Sequence, residues 1–229
     1  VLTGHRGIWW FDMWGGWFQS PEMLKLFSQF QEWMDIQTIG PMKAEIAVII
    51  DEDGLKYFKR NEAALEELIE RQRAELNWTG APYHTYLAKD LANPKFMFND
   101  YKLFIMLNCI YPCEDIRIAV NKKLKCNGKT ILWVYFSDYG CNGNKNITGF
   151  DLTYGSDNAL MQSEYDSKTF PGIAISCPRF ANYEPRNTYR LASFKGTVEP
   201  CILWKYSSDF SSVYSLLPCL PANKVTNYI

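Results

Sequence analysis

The stretch that decides the fold is Ile46-Ala47-Val48-Ile49-Ile50-Asp51-Glu52-Asp53-Gly54. Its first five residues are apolar and mostly β-branched, which is typical of a strand buried on both faces of a sheet. Its last four are acidic or glycine, so they end the strand in a turn. A helix is predicted next, over 61–76, because its apolar residues recur on one face: Leu65, Leu68, Ile69 and Leu76. A buried strand followed by an amphipathic helix is the repeating unit of a parallel sheet.

The same alternation continues along the chain. Apolar runs predict strands over 83–87, 101–108 and 130–136, and Pro112 opens a helix that ends before 127–129. This pattern predicts an α/β fold with a flavodoxin-like, doubly wound sheet. Residues 137–187 show little periodicity and are rich in Gly, Asn, Ser and Asp. Three later runs predict antiparallel strands added at one side of the sheet: 189–194, 201–206 and 213–217.

The first forty residues have a different character. Ile8–Phe11 predicts an aromatic strand, and Ser20-Pro21-Glu22 predicts the start of a helix that runs to about Asp35. A strand that ends in Trp and Asp before a helix is typical of the top of an α/β barrel. Since the chain opens on Val1 and not on Met, we expect it to be part of a longer protein. Residues 1–40 would then be the last strand and helix of a barrel, and 41–229 a second domain, with Gly40-Pro41 as the boundary.

Composition narrows the possible partners. The 24 basic and 25 acidic residues nearly cancel, so no electrostatic footprint for nucleic acid or an anionic membrane is expected. The longest apolar runs, 44–50 and 103–107, are too short to span a bilayer. Seven cysteines occur without a CxxC pair, which predicts no metal site and favours reduced thiols, as in the cytoplasm. No cofactor is expected. Two triplets match the N-glycosylation pattern, which is so short that it often arises by chance: Asn77-Trp78-Thr79 and Asn146-Ile147-Thr148.

Two kinds of chemistry can be tested against the predicted loops. An amidotransferase needs a nucleophilic Cys directly after the strand over 130–136, but Ser137-Asp138-Tyr139-Gly140 stands there and Cys141 lies too far along. Its base should come late in the domain, whereas His5 and His84 both come early. The acids at 51–53 could hold a divalent cation, but a solvated acidic loop is the preferred interpretation. We therefore predict no catalytic residues in this domain.

The order of elements resembles the β-galactosidases of glycoside hydrolase family 42. The resemblance is carried by these stretches: Asp90-Leu91, Asp100-Tyr101-Lys102, Asn127-Gly128-Lys129-Thr130, Leu191-Ala192 and Pro200-Cys201-Ile202. In that family a catalytic (β/α)8 barrel is followed by a glutamine-amidotransferase-like trimerisation domain. The resemblance implies a homo-oligomer, a carbohydrate substrate for the longer protein, and two catalytic glutamates upstream of this chain. It places Trp14 as a sugar-stacking residue and Asp12 as a hydroxyl-binding residue, with Trp10 and Trp17 near the sugar pocket. The alternative is that these four residues only pack the rim of the barrel.

The leading hypothesis is thus the non-catalytic end of a β-galactosidase-like glycoside hydrolase, serving oligomer assembly and shaping the sugar site. Two alternatives from other classes stay open. One is a carbohydrate-binding module that binds glycans through the Trp-rich N-terminus. The other is a divergent amidotransferase-like enzyme with an unusual nucleophile.

Overall fold

The structure is a computed structural model that describes residues 16, 18–36, 43–59, 63–141, 146–157, 160–165, 174–177, 179–183, 188–220 and 229. Helix α1 covers Pro21–Ile36. A second helix forms in three joined parts, α2 (Ala63–Leu65), a π-helical turn (Glu66–Arg71) and α3 (Gln72–Trp78). Helix α4 covers Ala88–Ala92, and α5 covers Glu114–Ala119 and continues into a π-helical turn over Val120–Leu124.

Eleven strands are found in the described part of the chain. Their bounds are β1 Ile46–Ile50, β2 Tyr83–Leu87, β3 Leu103–Met106, β4 Lys129–Val134, β5 Thr153–Asp157, β6 Leu160–Tyr165, β7 Ala174–Ser176, β8 Arg179–Asn182, β9 Tyr189–Phe194, β10 Pro200–Tyr206 and β11 Phe210–Ser215. Nine of them form one sheet in the order β2-β1-β3-β4-β11-β10-β9-β6-β7. The first five strands in this order are mutually parallel. Counted along the chain they follow the order 2-1-3-4-5, so the predicted flavodoxin-like, doubly wound fold is confirmed.

The direction of the last strand corrects one expectation. The run over 213–217 was expected to form an antiparallel strand, but β11 starts at Phe210 and pairs in parallel with β4, with Val213 opposite Leu132. A tight turn over 207–209 makes β11 antiparallel to β10. Because the long connection after β4 first forms β9 and β10, the chain returns to β4 in the parallel direction. The tight turn fixes the antiparallel pairing of β11 with β10, and tertiary packing fixes the parallel pairing of β11 with β4.

Strands β5 to β8 lie in the segment for which the sequence predicted no regular structure. β5 and β8 form a separate antiparallel pair, whereas β6 joins β9 and carries β7 to the edge of the large sheet. These strands are short, and their sequences mix Gly, Ser and Asp with apolar residues. Without a period of two, local sequence does not reveal them.

The core lies along the parallel strands, whose apolar runs are almost wholly buried. Trp133 on β4 is fully buried, and its Nε1 donates to Ser212 Oγ on β11 at 2.9 Å. Ser212 Oγ in turn donates to Thr148 O at 2.7 Å, which anchors the loop after β4 to the sheet. No helix within the described residues has the length and apolar character needed to cross a membrane.

Helix α1 forms where the sequence predicts it. The Ser20 Oγ caps it by accepting from the Met23 N–H at 3.2 Å. None of the residues 21–35 is buried, and Leu24 and Trp33 are 56% and 48% exposed. The predicted strand Ile8–Phe11 lies outside the described residues. The apolar stripe of α1 is half-buried.

Candidate functional site

The carboxyl ends of β1, β3 and β4 lie at one edge of the sheet, and doubly wound folds bind their ligands at this edge. From β1 the chain goes outward to β2 and then returns past β1 to β3, so the connections diverge between β1 and β3. Three loops meet there: 51–58, 107–113 and 135–141. We call this region the carboxyl edge and treat it as the candidate site.

The first two loops are clasped together by Asp51 and Asn108, which are 2% and 1% exposed. Asn108 Nδ2 donates to Asp51 O at 2.6 Å, and the Asp51 N–H donates to Asn108 Oδ1 at 2.9 Å. The Asp51 carboxylate accepts from the Asp53 N–H at 3.1 Å. Burial raises the pKa of Asp51, against the opposing effect of hydrogen bonds from the Asp53 and Gly54 backbone. Asp51 thus fixes the turn after β1.

The other acids of this loop face lysines. Lys89 Nζ lies 3.1 Å from Glu52 Oε1 and 3.1 Å from Asp53 Oδ2, and Lys56 also pairs with Asp53. The hydrogen bonds from Lys56 and Lys89 lower the pKa of Asp53. Such exposed pairs fit the solvated acidic loop better than the divalent-cation site. Within the described residues, no three His, Cys, Asp or Glu side chains are grouped so that they could hold a metal ion.

The turn after β4 is sharp, and the hydroxyl of Ser137 within it is used for an internal hydrogen bond. Tyr135 and Asp138 have left-handed backbones, with φ of 46° and 57°. Ser137 between them is 1% exposed, and its Oγ donates to Val134 O at 2.9 Å. The hydroxyl hydrogen that a general base would remove is thus bound to the backbone.

A buried ion pair fastens this turn to α5. The Asp138 carboxylate is fully buried and accepts from Arg117 Nη1 at 3.3 Å and from Nη2. It also accepts from the Ile147 N–H at 2.8 Å. Burial acts to lower the pKa of Arg117, but the hydrogen bond and charge of Asp138 outweigh it and raise the pKa. Arg117 therefore stays charged, and the pair holds two loops at once.

One of the two glycosylation triplets has a structural role. Asn146 is 8% exposed, and its Nδ2 donates to Cys141 O at 2.5 Å and to Phe150 O at 2.7 Å. Its Oδ1 accepts from the Thr148 N–H at 2.7 Å. The amide that a glycan would need is thus committed to closing the loop, which agrees with a chance match of the pattern.

Five aromatic side chains surround a cavity of about 350 Å³ at the carboxyl edge. Neighbouring ring centroids lie 4.6 Å apart for Tyr57 and Tyr111, 6.3 Å for Tyr111 and Tyr139, 5.6 Å for Phe136 and Tyr139, and 6.1 Å for Phe58 and Phe136. Adjacent rings are inclined by 62° to 87°. We call these five residues the aromatic collar. The rest of the described lining is apolar: Ala64 and Ile110.

The residues predicted to bind sugar, Asp12, Trp14, Trp10 and Trp17, lie outside the described residues. His84, the one histidine within them, lies on β2, where its Nδ1 is 2.6 Å from the Tyr101 hydroxyl. Burial raises the pKa of the Cys109 thiol well above its usual range, which fits an inert thiol. The aromatic collar was not predicted from the sequence. A tyrosine a few residues beyond the end of each of β1, β3 and β4 is the signal that would have indicated it.

Comparison with known proteins gives similarity at the level of fold. No protein-family model matches the chain, and no curated protein matches it. An exo-β-1,4-mannosidase, Op5Man5, from Opitutaceae bacterium strain TAV5 matches with a TM-score of 0.56 and 13% identity, covering 86% of this chain and 34% of the mannosidase. The β-galactosidase of the psychrophilic Marinomonas ef1 matches with a TM-score of 0.52 and 10% identity, covering 85% and 31%.

A smaller protein shares the fold over most of its own length. A putative ThuA-like protein from Bacteroides uniformis matches with a TM-score of 0.50 and 12% identity, covering 78% of this chain and 84% of that protein. By contrast, this chain spans about a third of the length of the two glycosidases. The fold thus occurs both within glycoside hydrolases and in a protein of about this size.

Proposed function

We propose that this chain is a non-catalytic region of a glycoside hydrolase of the family 42 β-galactosidase type, serving oligomer assembly and shaping the sugar site. The observation that carries the proposal is the turn after β4. The turn is sharp, with left-handed backbones at Tyr135 and Asp138, and Ser137 in it is buried and donates its hydroxyl to Val134 O. A fold that keeps this turn and commits its hydroxyl to the backbone suits scaffolding rather than group transfer.

Helix α1 supports the barrel part of the proposal. Its apolar stripe consists of Met23, Leu26, Phe27, Phe30 and Met34, all half-exposed. A helix on the outside of a (β/α)8 barrel would bury such a stripe against the strands of the barrel. The two glycosidase matches, which extend well beyond the length of this chain, fit an upstream barrel. The assembly role rests on the resemblance to family 42.

The first test asks whether the carboxyl edge has a reactive nucleophile. The chain is treated with a fluorophosphonate and, separately, with iodoacetamide, and each product is measured by intact-protein and peptide mass spectrometry. We expect no fluorophosphonate adduct on Ser137, because its Oγ is buried and bonded to the backbone. We expect Cys141 to react no faster than Cys113, an exposed thiol that serves as the internal control.

A divergent amidotransferase-like enzyme gives the opposite result. Stoichiometric labelling of Ser137, or selective labelling of Cys141 together with release of ammonia from glutamine, would contradict the proposal. Ser137→Ala is the matched control, because an adduct at this position must disappear in the variant.

A further inference from the structure

We propose that the cavity within the aromatic collar is a binding site for a neutral pyranoside. The cavity opens at the carboxyl edge between β1, β3 and β4, where doubly wound folds bind ligands. Its volume of about 350 Å³ falls at the lower end of the range for small-molecule sites. Position and size together point to a ligand of one or two sugar rings.

The exposure of the collar rings argues that something covers them. Tyr57 is 58% exposed and Tyr111 is 47% exposed, although both belong to one continuous aromatic cluster. An exposed cluster of large aromatic rings is unfavourable in water and is typical of a binding surface. A pyranose ring has one face of C–H groups, which can pack on an aromatic ring. The near-perpendicular rings offer such a surface on more than one side of the cavity.

The charge distribution favours a neutral ligand. None of the described residues that line the cavity carries a formal charge. Two buried carboxylates of the surrounding loops are already engaged, Asp51 by the Asp53 N–H and Asp138 by Arg117. A bound cation would therefore lose its hydration without gaining a counter-charge from the lining. This argues against a quaternary ammonium ion, the other ligand that aromatic cages hold.

The collar also supplies hydrogen-bonding groups for sugar hydroxyls. Tyr57, Tyr111 and Tyr139 contribute three phenol groups. Burial raises the pKa of Tyr111, and the neighbouring Tyr139 and Tyr57 raise it further. The Tyr111 hydroxyl thus stays protonated and can both donate and accept. A polyhydroxylated ligand with one apolar face matches phenol groups set among aromatic rings.

Ligand-observed NMR and isothermal titration calorimetry test this site with three probes: methyl β-D-galactopyranoside, methyl β-D-mannopyranoside and choline. We expect saturable binding of at least one glycoside, with saturation transfer strongest to the protons on one face of its ring. Tyr111→Ala should weaken that binding by at least about tenfold, the loss expected when an aromatic contact is removed. Tyr206→Ala is the matched control, because Tyr206 is a similarly exposed tyrosine on β10, outside the collar.

Three results would contradict the proposed binding site: no binding of either glycoside, binding of choline alone, or an unchanged affinity for the glycoside in the collar variants. If Tyr111→Ala fails to fold, Tyr57→Ala decides the question, because this more exposed ring can be removed with less disturbance. The inference does not depend on the proposed assembly role. Binding is measured on this chain alone, so its failure leaves the labelling and assembly tests unaffected.

Discussion

Replacing Arg117 by methionine is expected to lower the free energy of unfolding by about 3–5 kcal/mol, the usual cost of breaking a buried ion pair. The substitution leaves the fully buried Asp138 carboxylate without its cation. Methionine keeps much of the side-chain volume, so the loss reports charge and hydrogen bonding more than packing. Urea denaturation followed by circular dichroism measures the change.

Two further variants make this result specific. Arg71→Met removes an arginine paired with Glu67 on the surface of the second helix, and should cost less than about 1 kcal/mol. Adding Asp138→Asn to Arg117→Met should recover part of the loss, because an amide needs no counter-charge and asparagine tolerates a positive φ. If Arg117→Met and Arg71→Met lowered the free energy of unfolding equally, the buried ion pair would contribute no more to stability than the surface pair.

Replacing Gly54 by alanine is expected to cost about 3 kcal/mol, at the upper end of overpacking effects. An added Cβ would lie 2.1 Å from the carbonyl oxygen of Asn108. That carbonyl cannot move away easily, because the Asn108 side chain is clasped to the Asp51 backbone by two hydrogen bonds. The substitution should therefore separate the loops after β1 and β3.

Gly155→Ala provides the matched control for this prediction. Gly155 lies on β5, where an added Cβ meets no atom within 4 Å. Its replacement should change the free energy of unfolding by less than about 0.5 kcal/mol, as for an ordinary surface substitution. If the two alanine variants had the same free energy of unfolding, the predicted clash between an added Cβ at Gly54 and the Asn108 carbonyl would be contradicted.

The parallel half of the sheet could be predicted from the sequence because strands buried on both faces have a recognisable local pattern. Strands β1, β3 and β4 are enclosed on both faces, so each reads as a continuous apolar run, with Val48 and Ile105 among the buried residues. The turn after β1 was recognisable from its acids and glycine. Helix α1 was recognisable from its Ser20 cap and its apolar stripe.

The rest depends on contacts between residues that are distant in the sequence. Asp138 and Arg117 are 21 positions apart, and no local pattern joins them. The collar consists of rings from three loops, and the sequence of each loop taken alone does not indicate a binding site. Strand β11 owes its parallel pairing with β4 to the path of the whole segment before it. The ion pair, the collar and the pairing of β11 follow from the order in which the strands are connected, and a single sequence does not reveal that order without known relatives.

Two buried polar contacts support the carboxyl edge from below. The Asp51–Asn108 clasp and the Arg117–Asp138 pair fix the loops through buried polar contacts. The aromatic collar stands on those loops and faces outward. Rigid support is what a binding surface needs if its rings are to keep their spacing. The same arrangement leaves no exposed hydroxyl at Ser137 for chemistry.

Sedimentation equilibrium on the double variant Leu24→Glu/Trp33→Glu tests the scaffold proposal most directly. These two residues flank the apolar stripe of α1 on opposite sides, so the added charges remove association through this helix. If the domain assembles the protein, the variant should still sediment at two or more times the mass of one chain. Sedimentation as a single chain across the micromolar range would contradict the proposal that this domain assembles the protein.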